Sequence, residues 1–111
     1  MFLVTGGTGF IGKRVVAQLL SKNIQVIATD INTDNEKDSF EKYLSTKGVS
    51  IKDLELLELD ISSKENLSKI FKNYKISNII ACGYQMSNLI DNNPIKGAEV
   101  NIVGMTNLFQ A

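Results

Sequence analysis

The chain has 111 residues, 43% of them hydrophobic and 22% charged, which is the composition of one globular domain with enough apolar material for a core. Its 12 Lys+Arg balance 12 Asp+Glu, and it has no histidine. That leaves no basic field to hold nucleic acid or an anionic membrane, and it excludes a histidine base, a histidine zinc site and a Ser-His-Asp triad.

The first apolar run, residues 2–5, stops at glycines and reads as a strand; Ile11, Val15, Val16, Leu19 and Leu20 then recur at helical spacing. Residues 24–29 (IQVIAT) form a second apolar run ending at Asp30. Thr33-x-x-Glu36 follows as a capping box, for a helix with Phe40, Tyr43 and Leu44 on one face. Residues 54–59 close at Asp60 as a third strand, and Ser62-x-x-Glu65 caps a helix carrying Leu67, Ile70, Phe71 and Tyr74. Residues 78–82 (NIIAC) read as a fourth, buried strand. A polar loop then runs through Asn92-Asn93-Pro94, and a last helix spans about residues 95–111.

Strands joined by helices of this length lie parallel, with right-handed crossovers. The expected fold is α/β: a Rossmann-like, doubly wound parallel sheet of four strands and four helices, forming one domain over residues 1–111. There is no linker, low-complexity stretch or repeat. Residues 1–4 are too short an apolar run for a signal peptide or a membrane span. The single cysteine, Cys82, cannot form an internal disulfide, so a reducing, cytoplasmic setting is expected.

The turn after the first strand is rich in glycine. Gly7-x-Gly9-x-x-Gly12 and Gly6-x-x-Gly9-x-x-Gly12 overlap. Such spacing gives a tight turn, lets backbone approach a pyrophosphate and lets helix pack on strand, and the anion sits on unpaired N–H groups at the helix N-terminus. The turn stands between a strand and a helix, and a second strand ends in Asp30, 18 residues after Gly12. That context points to dinucleotide binding rather than to a bare turn. A carboxylate at Asp30 can accept both hydroxyls of the adenosine ribose and repels a 2′-phosphate, and no Lys or Arg occurs in residues 31–35. The cofactor expected is therefore NAD in preference to NADP. Asp60 ends its strand in the same way and reads either as a second site acid or as a plain turn residue.

With Thr5-Gly6-Gly7-Thr8-Gly9-Phe10-Ile11-Gly12, Asp30, Leu59-Asp60-Ile61, Asn93-Pro94 and the segment NIVGMTNL from Asn101, the chain resembles the extended short-chain dehydrogenase/reductase family. More narrowly, it is similar to the NAD-dependent epimerase/dehydratase branch that works on nucleotide sugars. The resemblance covers the whole chain but only the front of the family. It implies that Phe10 and Ile11 offer N–H groups to the pyrophosphate, that Asp30 and Asn32 hold the adenosine ribose, and that Asp60 and Ile61 contact adenine. It also places Ala81, Cys82 and Gly83 along the cofactor and Asn101 on its side, although Asn101 reads equally as a polar residue on a helix surface. Where the family has a His-apolar-Ala-small segment, this chain has Ala81-Cys82-Gly83-Tyr84, without the histidine.

The family's acid/base tyrosine and its lysine four residues on belong beyond a fifth strand, so this portion is expected to bind cofactor without a catalytic dyad of its own. Nucleotide sugar would then engage only a longer parent. A freestanding, non-catalytic dinucleotide module is the alternative. Tyr43-x-x-x-Lys47 matches the dyad spacing, but Tyr43 is needed on an apolar helix face. Cys82 reads as a small buried hydrophobe, and the sequon Asn66-Leu67-Ser68 falls inside a helix. In a 3-2-1-4 strand order, residues 78–82 form an open edge, and the apolar last helix lacks neighbours. Self-association is expected on both grounds.

Overall fold

The computed structural model describes residues 1–86 and 88–111. Strands β1 (Phe2–Thr5), β2 (Val26–Asp30), β3 (Leu54–Glu58) and β4 (Asn78–Ala81) form one sheet in the order β3-β2-β1-β4, with every neighbouring pair parallel. Helices α1 (Gly12–Ser21), α2 (Thr33–Thr46) and α3 (Lys64–Asn73) connect them. After β4 come two short helices, α4 (Asn88–Asn92) and α5 (Pro94–Ala98). A π-helical stretch, Glu99–Gly104, and α6 (Met105–Gln110) follow without a break.

Alternation along the strands splits the core in two. Leu3 and Ile27 face Leu59, Ile61, Leu67, Ile70, Val100 and Leu108 on the side of α3 and α6. Val4, Val26 and Ala28 face Val16, Ala17, Leu20, Phe40 and Leu44 on the side of α1 and α2. Both faces of the sheet are therefore covered, as near-continuous apolar strands require.

The expected strands and their order are present, but β4, expected to be buried, is exposed at Asn78, Ile79 and Ala81, and there are differences at the ends and in the last third. Ile24 does not begin β2; it closes α1. Asn23 takes a left-handed φ of 57°, and the Ile24 and Asn23 amides donate to the Leu19 and Leu20 carbonyls, which is a Schellman closure. Gly48, at φ 66°, ends α2 in the same manner. Neither capping box forms where the spacing predicts it. Thr33 is already inside α2 behind Asn32, which makes no side-chain cap, and Ser63 rather than Ser62 accepts from the Asn66 amide to start α3. Ser62 is drawn away by Asp60. The expected polar loop contains α4, and the last helix starts at Pro94, whose missing N–H costs nothing at N1 while the Asn93 side chain caps the Lys96 amide.

Candidate functional site

The strand ends open onto one cleft of about 490 Å³, between β1 and β4, where the strand order reverses. Its walls include Thr5 and Gly6 from β1, Asp30 and Asn32 from β2, and Glu58, Asp60 and Ile61 after β3. Gly83, Tyr84 and Gln85 after β4 and Lys96 of α5 complete them.

The glycine turn is built by close approach. Gly6 has φ +64°, and a Cβ there would lie 2.6 Å from the Gly83 amide nitrogen, so the turn after β1 meets the end of β4 only with glycine at position 6. At Gly12 a Cβ would overlap the Gly6 carbonyl oxygen, which fixes the start of α1 against the turn. Gly9 donates to that same carbonyl at 3.1 Å, and Gly7 donates to Thr29. Phe10 and Ile11 are exposed, and among the described residues their amides donate to no backbone carbonyl or side chain. They stand at the head of α1, the positive end of the helix. Gly9, Phe10, Ile11 and Gly12 continue from Gly6 along the turn, outside the cleft walls.

Asp30 is held from two sides, its Oδ2 accepting from the Thr8 hydroxyl at 2.7 Å and its Oδ1 from the Ile31 amide at 2.9 Å. Asn32 beside it is free of capping duty. Asp60 is more heavily engaged. Its Oδ1 accepts from the Ser62 amide (2.9 Å) and hydroxyl (2.6 Å), and its Oδ2 lies 3.1 Å from the Lys96 ammonium. Burial alone would raise its pKa, but the bonds from Ser62 and Lys96 together outweigh that and hold the carboxyl below its ordinary value. The Asn107 amide supports this corner by donating to the Ile61 and Ser62 carbonyls. Ile61 is buried in the core, with Gly104 packed tightly against it.

The stretch after β4 divides. Gly83 reaches the cleft, Ala81 lines a second groove along the sheet edge, and Cys82 packs with the α1/α2 core, its amide donating to Thr5. Burial pushes the Cys82 thiol up in pKa, the opposite of an activated nucleophile. Asn101 is not in the cleft wall; both polar atoms of its amide are spent on Gln85. Tyr43 sits between α1 and α2 with the ammonium groups of Lys13 and Lys47 over its ring, away from the cleft.

Thr8, Gln85 and Lys96 have no role of their own in the sequence reading, and Ser62 reads there only as a helix cap. Ser62 had a legible signal, because Asp-x-Ser is the spacing of an Asx turn. Lys96 had none, because its partner Asp60 lies 36 residues away.

Residues 3–111 match the family model described as GDP-mannose 4,6 dehydratase. The bifunctional UDP-glucose 4-epimerase and UDP-xylose 4-epimerase 1 of Pisum sativum is 31% identical over 110 residues, covering 97% of this chain and 31% of the relative. The UDP-glucose 4-epimerase of Thermus thermophilus, solved in complex with NAD, superposes with a TM-score of 0.77 at 27% identity, covering 98% of this chain and 32% of that one. The UDP-Glc/GlcNAc 4-epimerase of Campylobacter jejuni shares the fold with a TM-score of 0.80 at 24% identity, with 98% and 32% covered. The chain thus spans about a third of the length of these proteins. No described helix is long and apolar enough to cross a membrane. Sheet order, glycine turn and family match agree: the chain belongs to the GDP-mannose 4,6 dehydratase family of nucleotide-sugar epimerases and dehydratases, and corresponds to its N-terminal, Rossmann-like region.

Proposed function

We propose that the cleft binds NAD. The observation that carries this reading is the Asp30 carboxylate in the cleft wall beside Gly6, held by Thr8 and Ile31. Two features of the turn fit a dinucleotide: unpaired Phe10 and Ile11 amides suited to a pyrophosphate, and a Gly6–Gly83 contact that any Cβ would fill. Asp30 and Asn32 would hold the adenosine ribose, Asp60 and Ile61 would border adenine, and Gly83, with Ala81 and Cys82 behind it, would border the nicotinamide side. The Asp30 charge disfavours a 2′-phosphate, hence NAD over NADP.

Bound there, the nicotinamide would supply a hydride acceptor for oxidation of a sugar carbon. The chain's own contribution is to bind and orient. None of the cleft-wall residues pairs a tyrosine with a lysine four residues on, so acid/base chemistry on a nucleotide sugar belongs to a longer oxidoreductase or isomerase of the extended short-chain dehydrogenase/reductase type. A freestanding dinucleotide-binding module is the second reading. A free, partly buried Cys82 is in keeping with a reducing, cytoplasmic setting. The uncharged, apolar β4, with Ile79 exposed, supports self-association.

Calorimetric titration of NAD and NADP into wild type and Asp30→Ala tests the cofactor reading. NAD is expected to bind more tightly than NADP, and the substitution to weaken NAD about tenfold or more, as loss of a charged hydrogen-bond acceptor does. A folded wild-type chain that binds neither cofactor, or prefers NADP, overturns it.

A further inference from the structure

Ile11 stands at the head of α1, and its side chain offers the helix no cap. The hydrogen-bond ladder is irregular there. The Arg14 and Val15 amides both donate to the Ile11 carbonyl, at 3.0 and 3.1 Å, and the Lys13 amide donates to the Gly9 carbonyl. That leaves the Phe10 carbonyl, between them, without a backbone donor among the described residues. The Arg14 side chain turns back four residues and fills the gap, its Nη1 donating to the Phe10 oxygen at 2.6 Å. Two aromatic rings keep the guanidinium in place: Phe10, with its centroid 3.9 Å from Cζ, and Tyr43 of α2, at 5.6 Å. Among the described residues no carboxylate lies within ion-pair distance of Arg14, so its charge is not committed elsewhere.

A carbonyl and the N–H that follows it share one rigid plane and point in opposite directions across a trans peptide. The Phe10 oxygen shares its peptide with the unpaired Ile11 N–H. Fixing the oxygen therefore fixes the direction of that N–H, and a hydrogen bond accepted by the oxygen polarises the N–H into a stronger donor. We propose that Arg14 is a positioning residue: by gripping the Phe10 carbonyl it aims and strengthens the Ile11 N–H for an anionic ligand, and it acts through that peptide rather than by touching the anion. Tyr43, whose spacing to Lys47 imitates a catalytic pair, takes the part of holding Arg14 from α2. The ligand readout rests on the NAD reading above; the grip itself does not.

The test uses the 111-residue chain with two substitutions at this exposed position, neither of which opens the core. Arg14→Met removes donor and charge at similar length, whereas Arg14→Lys keeps a charge and a donor but not the planar group that stacks on Phe10. Without ligand, NMR follows the shifts of the Phe10 carbonyl carbon and the Ile11 amide. Titration then gives the affinity for NAD and for adenosine, which has the same base and ribose and no phosphate. In Arg14→Met both signals should move while those of β1 and β2 stay. NAD should bind about three- to tenfold more weakly, and adenosine should stay within about twofold of wild type. In Arg14→Lys the loss of NAD affinity should follow the displacement of the two signals. Unmoved Phe10 and Ile11 signals, or unchanged NAD affinity, in Arg14→Met overturn the proposal. So does full NAD affinity in Arg14→Lys with displaced signals, which marks an effect of charge alone, and so does equal weakening of NAD and adenosine, which marks general loosening. A wild-type chain that binds neither ligand overturns the NAD reading instead, and the two signals in Arg14→Met then decide whether the grip exists.

Discussion

The two outer strands of the sheet are built to opposite rules. β3 (LELLE) places Glu55 and Glu58 in exposed positions on its short length, and the Tyr74 hydroxyl of the α3 C-terminus donates to Glu55. β4 (NIIA) has no charge, its Ile79 is 39% exposed, and a groove of about 460 Å³ lined by Phe71, Ile76, Met105, Leu108 and Phe109 runs beside it. Charged side chains on an edge oppose addition of another strand, and a neutral apolar edge invites it. Within these residues the outer side of β3 carries charge and that of β4 does not, although β4 also carries the segment on which the cleft depends.

Four substitutions break or sharpen that contrast. The largest effect is expected from Gly6→Ala, which forces a left-handed φ on a residue with a side chain and drives its Cβ into Gly83, prising the turn from the β4 end. It should cost about 3 kcal/mol or more, read as a lower urea midpoint at unchanged slope. Next comes Ile79→Lys, which gives β4 the protection β3 already has. Sedimentation should show weaker self-association than in wild type, with stability changed by about 1 kcal/mol or less, whereas Glu55→Val should add a second associating edge. A wild-type chain that sediments as a monomer at high concentration removes the basis for both. The smallest effect belongs to Lys96→Met. The Lys96–Asp60 pair is two-fifths exposed, so its removal should shift stability at neutral pH by less than about 1 kcal/mol. The pH dependence is more telling. Because the folded Asp60 carboxyl lies below its ordinary 3.8, its contribution is present at neutral pH and lost as pH falls below about that value toward the folded pKa. Lys96→Met should make that acid loss shallower, without abolishing it, because Ser62 remains.

Much of this arrangement was legible in the chain because its signals are local. The glycine spacing, the acids closing residues 24–29 and 54–59, and the alternation of apolar runs with helical stripes each depend on a few adjacent residues, and parallel pairing followed from connection length, while the sheet order was that of the doubly wound fold. What escaped depends on meetings across the chain. Asn101 read as a cofactor-side or surface asparagine because nothing near it in sequence reveals Gln85. The Lys96–Asp60 pair is hidden for the same reason. The misplaced start of β2 has a different origin: Ile24 is apolar and adjoins a strand, but its amide is needed to close α1 over Asn23, and apolar periodicity does not separate those two uses.

β1 lies inside the sheet, with a neighbour on each side. β1 pairs with β2 on one side and with β4 on the other, in registers that set Phe2 opposite Val26 and opposite Asn78. Closing the second of those loops costs about 1 kcal/mol more in chain entropy than the first, since it is roughly threefold longer. As the chain leaves the ribosome, β1 can join β2 early, but its other side stays bare until residue 81 has emerged, and only then can Gly6 meet Gly83. Docking of β4 is thus later than that of β2, and the cleft acquires its second wall when β4 settles beside β1.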